Sequence, residues 1–454
     1  MNELSNIKRV YFIGIGGIGM SALARYFHEK GVFVSGYDKG SSELIHQLEQ
    51  EGIPVHFEES LDLADLKADW VIYTPAIPES HKELDYFRSN GFPVLKRSEA
   101  LQRILENYYC ISVAGTHGKT TTSTLIAHTL RQSGYGCNAF LGGISSNYQT
   151  NYWSNDRQLA VVEADEYDRS FLRLSPDLAV LTAMDPDHMD IYQTVEALED
   201  AFVQYTRNIK EGGTLVHKHP LNRAREFGGS RRISYSLTDV AADYYARNIR
   251  VQDGKYRFDL VGMGKEYREF ALQIGGIHNI ENAVAATAIL QLLPLDTEKI
   301  REGLATFRGV HRRFEYQIKQ SGKVFIDDYA HHPEELRSLI HSARELYPEL
   351  HCTVIFQPHL FSRTRDLASG FASSLQLADQ VYLLPIYPAR EAPMAGISSQ
   401  TIANLMKNTP VKVQNKDEVL KSIKNLPGGL LITAGAGDID RMIPDIKQIL
   451  EKSI

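Results

Sequence analysis

Residues 109–122 read Tyr-Cys-Ile-Ser-Val-Ala-Gly-Thr-His-Gly-Lys-Thr-Thr-Thr, an apolar run followed directly by a glycine-rich turn. A strand that leads through such a turn into a helix presents backbone N–H groups and the positive end of the helix dipole to an anion. Lys119 adds a positive charge, and Thr120 adds a hydroxyl that can bind Mg²⁺. The stretch therefore predicts a phosphate-binding loop in an α/β sheet, although the usual longer pattern has a glycine where this chain has Val113.

The composition of the chain excludes several classes of protein. Its 454 residues are too many for one core and suggest about three domains. The net charge of −7, with both signs interspersed, argues against a nucleic-acid-binding surface. The three cysteines have no CxxC spacing, so we expect reduced packing residues and neither a disulfide framework nor a zinc site. Without a signal-peptide core or an apolar stretch of about 20 residues, we expect a cytoplasmic protein that does not enter a membrane.

Strands and helices alternate along the whole chain, which predicts an α/β fold. The predicted domains are a Rossmann-like N-terminal domain, a central P-loop ATPase-like domain and a Rossmann-like C-terminal domain, at residues 1–105, 106–309 and 310–454. Within the central domain, residues 230–275 are predicted to form short antiparallel strands. In the last domain, the predicted strands include residues 352–356, 380–385 and 429–433.

A second glycine turn lies near the N-terminus, where Gly14-Ile-Gly-Gly-Ile-Gly19 follows an apolar strand. The next strand ends at Asp38, and this combination is typical of a Rossmann βαβ unit that binds NAD. The same turn can hold any diphosphate, so the pattern alone leaves the ligand open. A third strand ends in Thr74-Pro-Ala76, a small-residue loop at the same edge of the sheet.

Acidic residues follow two strands of the central domain. The strand at 159–162 leads into Glu163-Ala-Asp-Glu-Tyr-Asp168, and the strand at 178–182 is followed by Asp185, Asp187 and His188. The carboxyl ends of parallel strands meet where an α/β sheet binds its ligands. Because hard cations prefer oxygen ligands, the pattern favours a Mg²⁺ site beside a triphosphate over a merely solvated acidic loop.

Six motifs, in their order along the chain, resemble those of the ATP-dependent Mur ligases of bacterial cell-wall synthesis. They are Gly14-x-Gly-Gly-x-Gly19, Gly115-Thr-His-Gly-Lys-Thr120, Glu163-Ala-Asp-Glu-x-Asp168, His278-Asn-x-x-Asn282, Arg312-Arg313-Phe314 and Asp328-Tyr-x-His-His-Pro333. The resemblance covers essentially the whole chain. It changes the interpretation of the first glycine loop from an NAD site to a site for the diphosphate of a UDP-sugar.

Further details resemble the branch of the family that attaches L-alanine to UDP-N-acetylmuramate. They are the histidine of the phosphate loop, Phe356-Gln-Pro-His359 with Ser362-Arg-Thr364, and Ile386-Tyr-Pro-Ala-Arg-Glu391. The nearest alternative within the family is the recycling ligase that attaches a preformed tripeptide to the same sugar nucleotide. One departure is Leu360, because the family commonly has an arginine there. Arg363 is then the nearest candidate for that arginine's task.

The resemblance implies an acid–amino acid ligase that uses ATP and Mg²⁺, with Mn²⁺ as a substitute, and forms an acyl phosphate. The implied UDP-sugar site comprises Gly14, Gly16, Gly17, Gly19, Asp38, Thr74 and Ala76. The implied ATP site comprises Gly115, Thr116, His117, Gly118, Lys119, Thr120, Thr121, His278, Asn282, Arg313 and Asp328. The implied catalytic residues are Lys119, Glu163, His188 and Arg313. The implied metal ligands are Thr120, Glu163 and His188, and the amino-acid pocket comprises Tyr329, His359 and Arg363.

Within this scheme, His278 and Asn282 read the adenine edge, although an asparagine at the start of a helix can instead cap it. Arg313 reaches the γ-phosphate and Asp328 the ribose, and closure of the last domain completes the site. The expected partners are the small-molecule substrates alone, with a monomer or a weak homodimer in solution.

Two other classes of protein explain only part of the sequence. An NAD-dependent dehydrogenase accounts for the first glycine loop but not for the Gly-Lys-Thr turn or the acidic cluster. A regulatory P-loop ATPase leaves Gly16, Gly17 and Arg313 unexplained. Titration with NAD, with ATP, and with ATP plus a UDP-sugar separates the three interpretations.

Overall fold

The computed structural model describes residues 3–186, 189–252, 254–389, 391–424, 426 and 428–452. Helices alternate with the strands of three sheets, which confirms the predicted α/β class. The contacts divide the chain into two compact units. The first comprises Met1–Arg247, Asp259–Phe270 and Glu281–Phe307, and the second comprises Asn248–Phe258, Ala271–Ile280 and Arg308–Ile454. The predicted domain boundaries stay a prediction. No helix in the described ranges is both long and apolar enough to cross a membrane.

The first sheet has five parallel strands in the order β3-β2-β1-β4-β5. Its strands are β1 (Arg9–Ile13), β2 (Phe33–Tyr37), β3 (Val55–His56), β4 (Trp70–Tyr73) and β5 (Val94–Lys96). The helices between them are α1 (Ile18–Glu29), α2 (Glu43–Gln50), α3 (Lys82–Ser89) and α4 (Arg97–Leu105). Apolar clusters cover both faces of β1, which explains its nearly continuous apolar sequence.

The second sheet has ten strands in the order β15-β14-β13-β12-β11-β10-β6-β9-β7-β8. The strands are β6 (Tyr109–Ala114), β7 (Asn138–Ser145), β8 (Thr150–Trp153), β9 (Leu159–Glu163), β10 (Leu178–Leu181), β11 (Thr214–Lys218), β12 (Arg231–Ser236), β13 (Tyr244–Gln252), β14 (Lys255–Gly262) and β15 (Lys265–Leu272). The helices are α5 (Lys119–Gln132), α6 (Met189–Tyr192), α7 (Val195–Arg207), α8 (Ile277–Leu290) and α9 (Thr297–Thr306). Strand β6 pairs in parallel with β9 and β10, so its carboxyl end lies between theirs.

The prediction of antiparallel strands over residues 230–275 is wrong for the beginning of that stretch. Strand β12 pairs in parallel with β11, and β13 pairs in parallel with β12. Residues 219–230 connect β11 to β12, and a crossover of this length permits parallel pairing.

The core of the first unit is continuous from the first sheet to the second. One cluster of buried side chains includes Phe12 and Trp70 from the first sheet and Val162 from the second. Helix α1 contributes to this cluster, and its Tyr26 ring lies 5.6 Å from the ring of Phe140 in β7. The two glycine loops are therefore carried by one packed body.

The second unit contains a six-stranded sheet in the order β16-β17-β21-β18-β19-β20. Its strands are β16 (Glu315–Gln320), β17 (Lys323–Asp328), β18 (Cys352–Phe356), β19 (Gln380–Leu383), β20 (Val411–Val413) and β21 (Leu430–Ala434). The helices are α10 (Pro333–Leu346), α11 (Phe361–Leu375), α12 (Ser399–Ala403), α13 (Lys416–Ile423) and α14 (Ile443–Lys452). The edge strand β16 is antiparallel to β17, and the other pairs are parallel. The strands predicted near 352–356, 380–385 and 429–433 are confirmed to within two residues.

Candidate active site

The phosphate loop joins the end of β6 to the start of α5, and Gly118 is the N-cap of that helix. Gly118 has a φ of +78°, in the left-handed region where other side chains are strained. A Cβ atom there would lie 2.6 Å from Oδ1 of Asn282. Glycine at this position therefore lets Asn282, on α8, pack directly against the turn.

The ammonium group of Lys119 is held by two partners in the first unit. Its Nζ donates to the carbonyl oxygen of Gly115 at 2.7 Å and to Oε1 of Glu166 at 2.9 Å, and Oε2 of Glu166 lies 2.8 Å away. The side chain of Glu166 is fully buried, and its backbone carbonyl accepts a hydrogen bond from the hydroxyl of Tyr192. The sequence placed Glu166 in an acidic cluster but did not identify it as the partner of Lys119.

The hydroxyl of Thr120 and the carboxylate of Glu163 form a second contact at the same loop. Thr120 Oγ1 lies 2.8 and 3.0 Å from the two carboxylate oxygens, and the Gly142 N–H donates to Glu163 Oε2 at 3.1 Å. Both groups are oxygen ligands of the kind that Mg²⁺ prefers. In the described ranges no three His, Cys, Asp or Glu side chains are grouped to hold a metal ion. The predicted ligand His188, like Asp187, lies outside the described residues.

The remaining residues of the phosphate loop are fixed by the neighbouring strand β10 and by the residues that follow it. The hydroxyl of Thr182 donates to the carbonyl oxygens of Ala114 and His117. The N–H of Asp185 donates to Thr116 Oγ1 at 3.1 Å. Thr121 is buried in α5, whereas the side chain of His117 is largely exposed. These bonds hold the turn open around its backbone N–H groups.

The first glycine loop precedes α1, whose N-cap is Gly17. The Gly16 N–H donates to Oδ2 of Asp38 at 2.8 Å. Gly17 has a φ of −65°, which any residue adopts, and a Cβ atom there would have 3.6 Å to its nearest neighbours. The fold therefore does not require a glycine at position 17, and its absent side chain leaves the backbone open to a ligand.

Two side chains lie against the glycines of this loop. A Cβ atom at Gly14 would lie 2.6 Å from Thr74, and one at Gly19 would lie 3.0 Å from two side-chain atoms of Arg97. Arg97 is the first residue of α4 and was not among the predicted site residues. It brings a positive charge to the loop that sequence reasoning missed. Ala76 is exposed in the loop that follows β4.

Helix α8 carries His278 and Asn282 one helical turn apart. The helix begins at Ile277, so neither Asn279 nor Asn282 is its N-cap. The side-chain amide of Asn279 instead donates to the carbonyl oxygen of Gly275 at 2.6 Å. Nδ1 of His278 lies 3.5 Å from the hydroxyl of Ser338, and both residues belong to the second unit.

The two adjacent arginines of the second unit have different surroundings. Arg312 Nε lies 3.3 Å from the buried Asp327 carboxylate, and its guanidinium also donates to the carbonyl of Gly435. Arg313 is exposed, with its guanidinium 5.7 Å from the centre of the Tyr329 ring. Arg312 thus stabilises the turn, and Arg313 is the one that a ligand can reach.

Asp328, at the end of β17, accepts two backbone hydrogen bonds. The N–H of Phe314 donates to Oδ2 at 2.6 Å, and the N–H of Ala330 donates to Oδ1 at 2.7 Å. Burial raises the pKa of Asp328 to about 6, although the charge of Arg313 lowers it. Both oxygens thus support the local chain, and the predicted ribose contact stays a prediction.

The predicted amino-acid pocket contains two buried polar atoms, Nδ1 of His359 and Nη1 of Arg363, which have no hydrogen-bond partner among the described residues. The ring of His359 stacks on that of Tyr387, with centroids 5.8 Å apart and an interplanar angle of 16°. Burial, with the charge of Arg363 adding to it, lowers the pKa of His359 to about 4, so the imidazole is neutral near pH 7.

His359 and Arg363 do not lie on one helix. Helix α11 begins at Phe361, and the residue before it, Leu360, has a φ of +70°. His359 therefore lies outside the helix, in a bridge with Tyr387. The carboxylate of Glu391 accepts hydrogen bonds from the backbone N–H and the hydroxyl of Ser362, which fixes Glu391 against the start of α11.

Three family models match the chain. They describe a Mur ligase family catalytic domain at residues 9–109, a Mur ligase middle domain at residues 113–290 and a Mur ligase glutamate ligase domain at residues 312–437.

Curated relatives and solved structures match over nearly the full length. The UDP-N-acetylmuramate–L-alanine ligase of Porphyromonas gingivalis strain W83 is 49% identical, over 98% of this chain and 99% of the relative. The UDP-N-acetylmuramate–L-alanine ligase of Parabacteroides distasonis is 46% identical, over 100% of this chain and 99% of the relative. The crystal structure of the UDP-N-acetylmuramate–alanine ligase of Thermotoga maritima superimposes with a TM-score of 0.83 at 28% identity, over 98% of both chains. Because the three family models together cover most of the chain and the relatives match it over nearly its full length, the protein belongs to the Mur ligase family.

Proposed function

We propose that the protein is an ATP-dependent ligase that joins L-alanine to the lactyl carboxylate of UDP-N-acetylmuramate, in the synthesis of peptidoglycan precursors. The observation that carries this proposal is the identity of 49% and 46% to ligases of that name over essentially the whole chain. We place the reaction in the cytoplasm, where ATP and UDP-linked sugars are available. A monomer or weak homodimer stays our prediction for the oligomeric state.

The reaction needs two steps, because a carboxylate does not condense with an amine in water at a useful rate. A carboxylate oxygen of the sugar first attacks the γ-phosphorus of ATP, which forms the acyl phosphate and releases ADP. The alanine amine then attacks the acyl carbon, phosphate leaves, and the nitrogen loses a proton to give the amide. Phosphoryl transfer depends on positioning and charge neutralisation, so the protein needs no covalent nucleophile.

In this proposal the phosphate loop binds the triphosphate. The N–H groups at the start of α5 face the β- and γ-phosphates, and Lys119 donates to them. An ammonium group has three N–H donors, and the contacts with Gly115 and Glu166 use two of them. Glu166 thereby keeps Lys119 extended along the loop without removing it from the phosphates. The roles of Arg313 at the γ-phosphate, Asp328 at the ribose and His278 with Asn282 at the adenine rest on the family resemblance.

Thr120 and Glu163 would hold a Mg²⁺ ion, with phosphate oxygens and water completing the coordination. Two protein oxygens are a typical share for Mg²⁺, which binds few protein carboxylates and retains several waters. When bound, the cation neutralises charge on the phosphates. Mn²⁺ would take the same oxygen ligands, and His188 stays the predicted ligand of a second ion.

The first glycine loop would bind the diphosphate of the UDP-sugar. Two observations support this: Gly17 is exposed at the start of α1, and the guanidinium of Arg97 lies beside Gly19.

The amino-acid pocket would hold the alanine carboxylate on the buried atoms of His359 and Arg363 that lack partners within the described residues. An arginine suits this task because its N–H groups match the two carboxylate oxygens. Tyr329 stays a predicted member of that pocket.

The test is phosphate release with ATP, Mg²⁺ and UDP-N-acetylmuramate, with L-alanine, L-serine, glycine and a tripeptide compared as acceptors. We expect L-alanine to give the highest kcat/KM. A preference for the tripeptide would establish the recycling ligase instead, and saturable NAD binding would support the dehydrogenase.

The variant Arg363→Lys sharpens the assignment of the pocket, because it keeps the charge and loses the planar pair of donors. We expect KM for L-alanine to rise about ten-fold, equivalent to about 1.4 kcal/mol, with little change in KM for ATP. Arg365→Lys is the matched control, since Arg365 lies on the same helix and pairs with the neighbouring Asp366. A rise in KM for ATP instead would place Arg363 in the nucleotide site.

A further inference from the structure

The side chain of Asn151, in β8, is fully buried and reaches the beginning of α1. Its Nδ2 donates to the carbonyl oxygen of Ile18 at 2.5 Å and to the hydroxyl of Ser21 at 3.0 Å. Its Oδ1 accepts a hydrogen bond from Arg25. An asparagine amide has two N–H donors and a carbonyl oxygen with two lone pairs, so this one uses both donors and accepts one hydrogen bond. Ile18 is the first residue of α1 and follows Gly17 directly.

The other strand of the same hairpin reaches the phosphate loop. Strand β7 pairs with β8 on both sides of a break in register between Phe140 and Ser145, and Gly142, within that break, donates its N–H to Glu163. Glu163 in turn accepts a hydrogen bond from the hydroxyl of Thr120. The hairpin therefore contacts both the residues at the start of α5 and the start of α1, entirely within the first unit.

The surroundings of Asn151 keep its contact with α1 rigid. The side chain of Arg25 is only 5% exposed, and its Nη2 lies 2.7 Å from a carboxylate oxygen of Glu51. The guanidinium that donates to Asn151 is therefore itself held in place. The next residue, Tyr26, packs edge-on against Tyr152 with ring centroids 6.2 Å apart. Close packing on both sides leaves the hairpin and α1 little freedom to slide past each other.

We propose that the β7–β8 hairpin sets the distance between the UDP-sugar site and the ATP site, with Asn151 as a positioning residue for phosphoryl transfer. The inference rests on the proposed function. Transfer from ATP to the sugar carboxylate requires the two reacting groups to meet in line. A misplacement of about 1 Å, even from a change far from the chemistry, can cost about 10²-fold in rate. Asn151 acts through α1 and the glycine loop and not by contact with a substrate.

Asn151→Asp is the decisive variant. It keeps the size of the side chain and an acceptor for Arg25, but it turns an oxygen towards the Ile18 carbonyl where an N–H donor was. Asn147→Ala is the matched control, because Asn147 lies in the turn of the same hairpin and donates to the Thr306 carbonyl, away from α1. For the wild type and each variant we would measure the Kd of ATP and the Kd of UDP-N-acetylmuramate separately. The same titrations give the number of binding sites per chain, to which the rate is normalised. Rapid quench in single turnover without L-alanine would then give the rate of ADP formation.

We expect Asn151→Asp to slow ADP formation per binding site by about 10- to 100-fold, with both Kd values within about three-fold of wild type. Asn147→Ala should leave the rate unchanged. An unchanged rate in folded Asn151→Asp, or an equal loss in Asn147→Ala, overturns the inference. If Asn151→Asp does not fold, Ser21→Ala removes one of the two contacts of the same amide; a fall of about three-fold supports the inference, and no fall overturns it. Failure of the wild type to form ADP from UDP-N-acetylmuramate would instead overturn the proposed function.

Discussion

The two glycine loops of the first unit share a strand–turn–helix plan but differ in what surrounds the turn. In the loop before α5, Lys119 and Thr120 already contact the carboxylates of Glu166 and Glu163. In the loop before α1, the nearest charged groups are the carboxylate of Asp38 on the Gly16 N–H and the guanidinium of Arg97 beside Gly19. A turn that only holds a diphosphate can rely on its backbone. A turn that supports phosphoryl transfer needs its charged groups placed before the substrate arrives.

The largest effect that this comparison predicts is that of Lys119→Ala. Loss of the charged phosphate contact should lower kcat for phosphate release by about 10³-fold, because that contact acts mainly on the transition state. The Kd for UDP-N-acetylmuramate, measured by calorimetry, should stay within about two-fold of wild type, because we propose that this ligand binds at the other loop. Equal loss of UDP-sugar affinity in a folded variant would contradict the assignment of the two loops to two ligands.

The buried Glu166 adds a stability effect to the same substitution. Without Lys119 its carboxylate has lost its ion-pair partner, which should lower the free energy of unfolding by about 3 kcal/mol. The double variant Lys119→Ala/Glu166→Gln should recover most of that stability in a denaturant titration while remaining inactive. Recovery of activity as well would show that Lys119 serves the fold and not the phosphates.

Glu163→Gln should have the next largest effect, through the metal. An amide keeps the contact with Thr120 but loses one anionic oxygen, so the Mg²⁺ concentration for half-maximal activity should rise at least about ten-fold. His188→Ala should act in the same direction, and less strongly. Asp165→Asn is the matched control, since Asp165 accepts a local hydrogen bond from the Tyr167 N–H. If only the control shifts the Mg²⁺ dependence, the metal is bound by Asp165.

Much of this arrangement could be predicted from the sequence because apolar runs end at residues with distinctive chemistry. Strands β1, β6 and β9 each lead directly into a glycine turn or an acidic residue, and their places were correct. The direction of β12 was not, because its pairing is set by the crossover before it and not by its own residues. Local pattern thus identifies an element more reliably than it identifies its partner.

The side chains that contact the site residues could not be predicted from the sequence, for the same reason. Glu166 contacts Lys119 because the sheet order places β9 beside β6, and their separation of 47 positions in the sequence gives no indication of that contact. Arg97 and Asn151 reach the first glycine loop from α4 and β8 in the same way. Of the two adjacent arginines at 312 and 313, only the structure shows which one is committed to the buried Asp327.

Glycine substitutions in the two loops should separate ligand effects from fold effects. Gly17→Val fits the protein, because φ is −65° and the nearest atoms to a Cβ lie 3.6 Å away. It should leave the melting temperature unchanged and raise the Kd for the UDP-sugar about ten-fold, through obstruction of the diphosphate. Gly118→Ala should instead lower stability by about 1 kcal/mol or more, from its positive φ and the clash with Asn282. A Gly17→Val protein that binds UDP-N-acetylmuramate normally would mean that the diphosphate lies elsewhere.

The smallest effect concerns Asp38, whose carboxylate separates the two interpretations of the first loop. If it only orients the Gly16 N–H, to which it is bonded at 2.8 Å, an amide oxygen can accept the same hydrogen bond. Asp38→Asn should then leave the Kd for UDP-N-acetylmuramate within about two-fold, whereas Asp38→Ala should weaken binding about five-fold, the typical value of one hydrogen bond. If the carboxylate instead receives hydroxyl groups of a ribose, as in a dinucleotide site, its charge matters and the asparagine variant should bind as weakly as the alanine variant. Calorimetric titration of both variants with UDP-N-acetylmuramate, and of the wild type with NAD, distinguishes a residue that supports the loop from one that contacts the nucleotide.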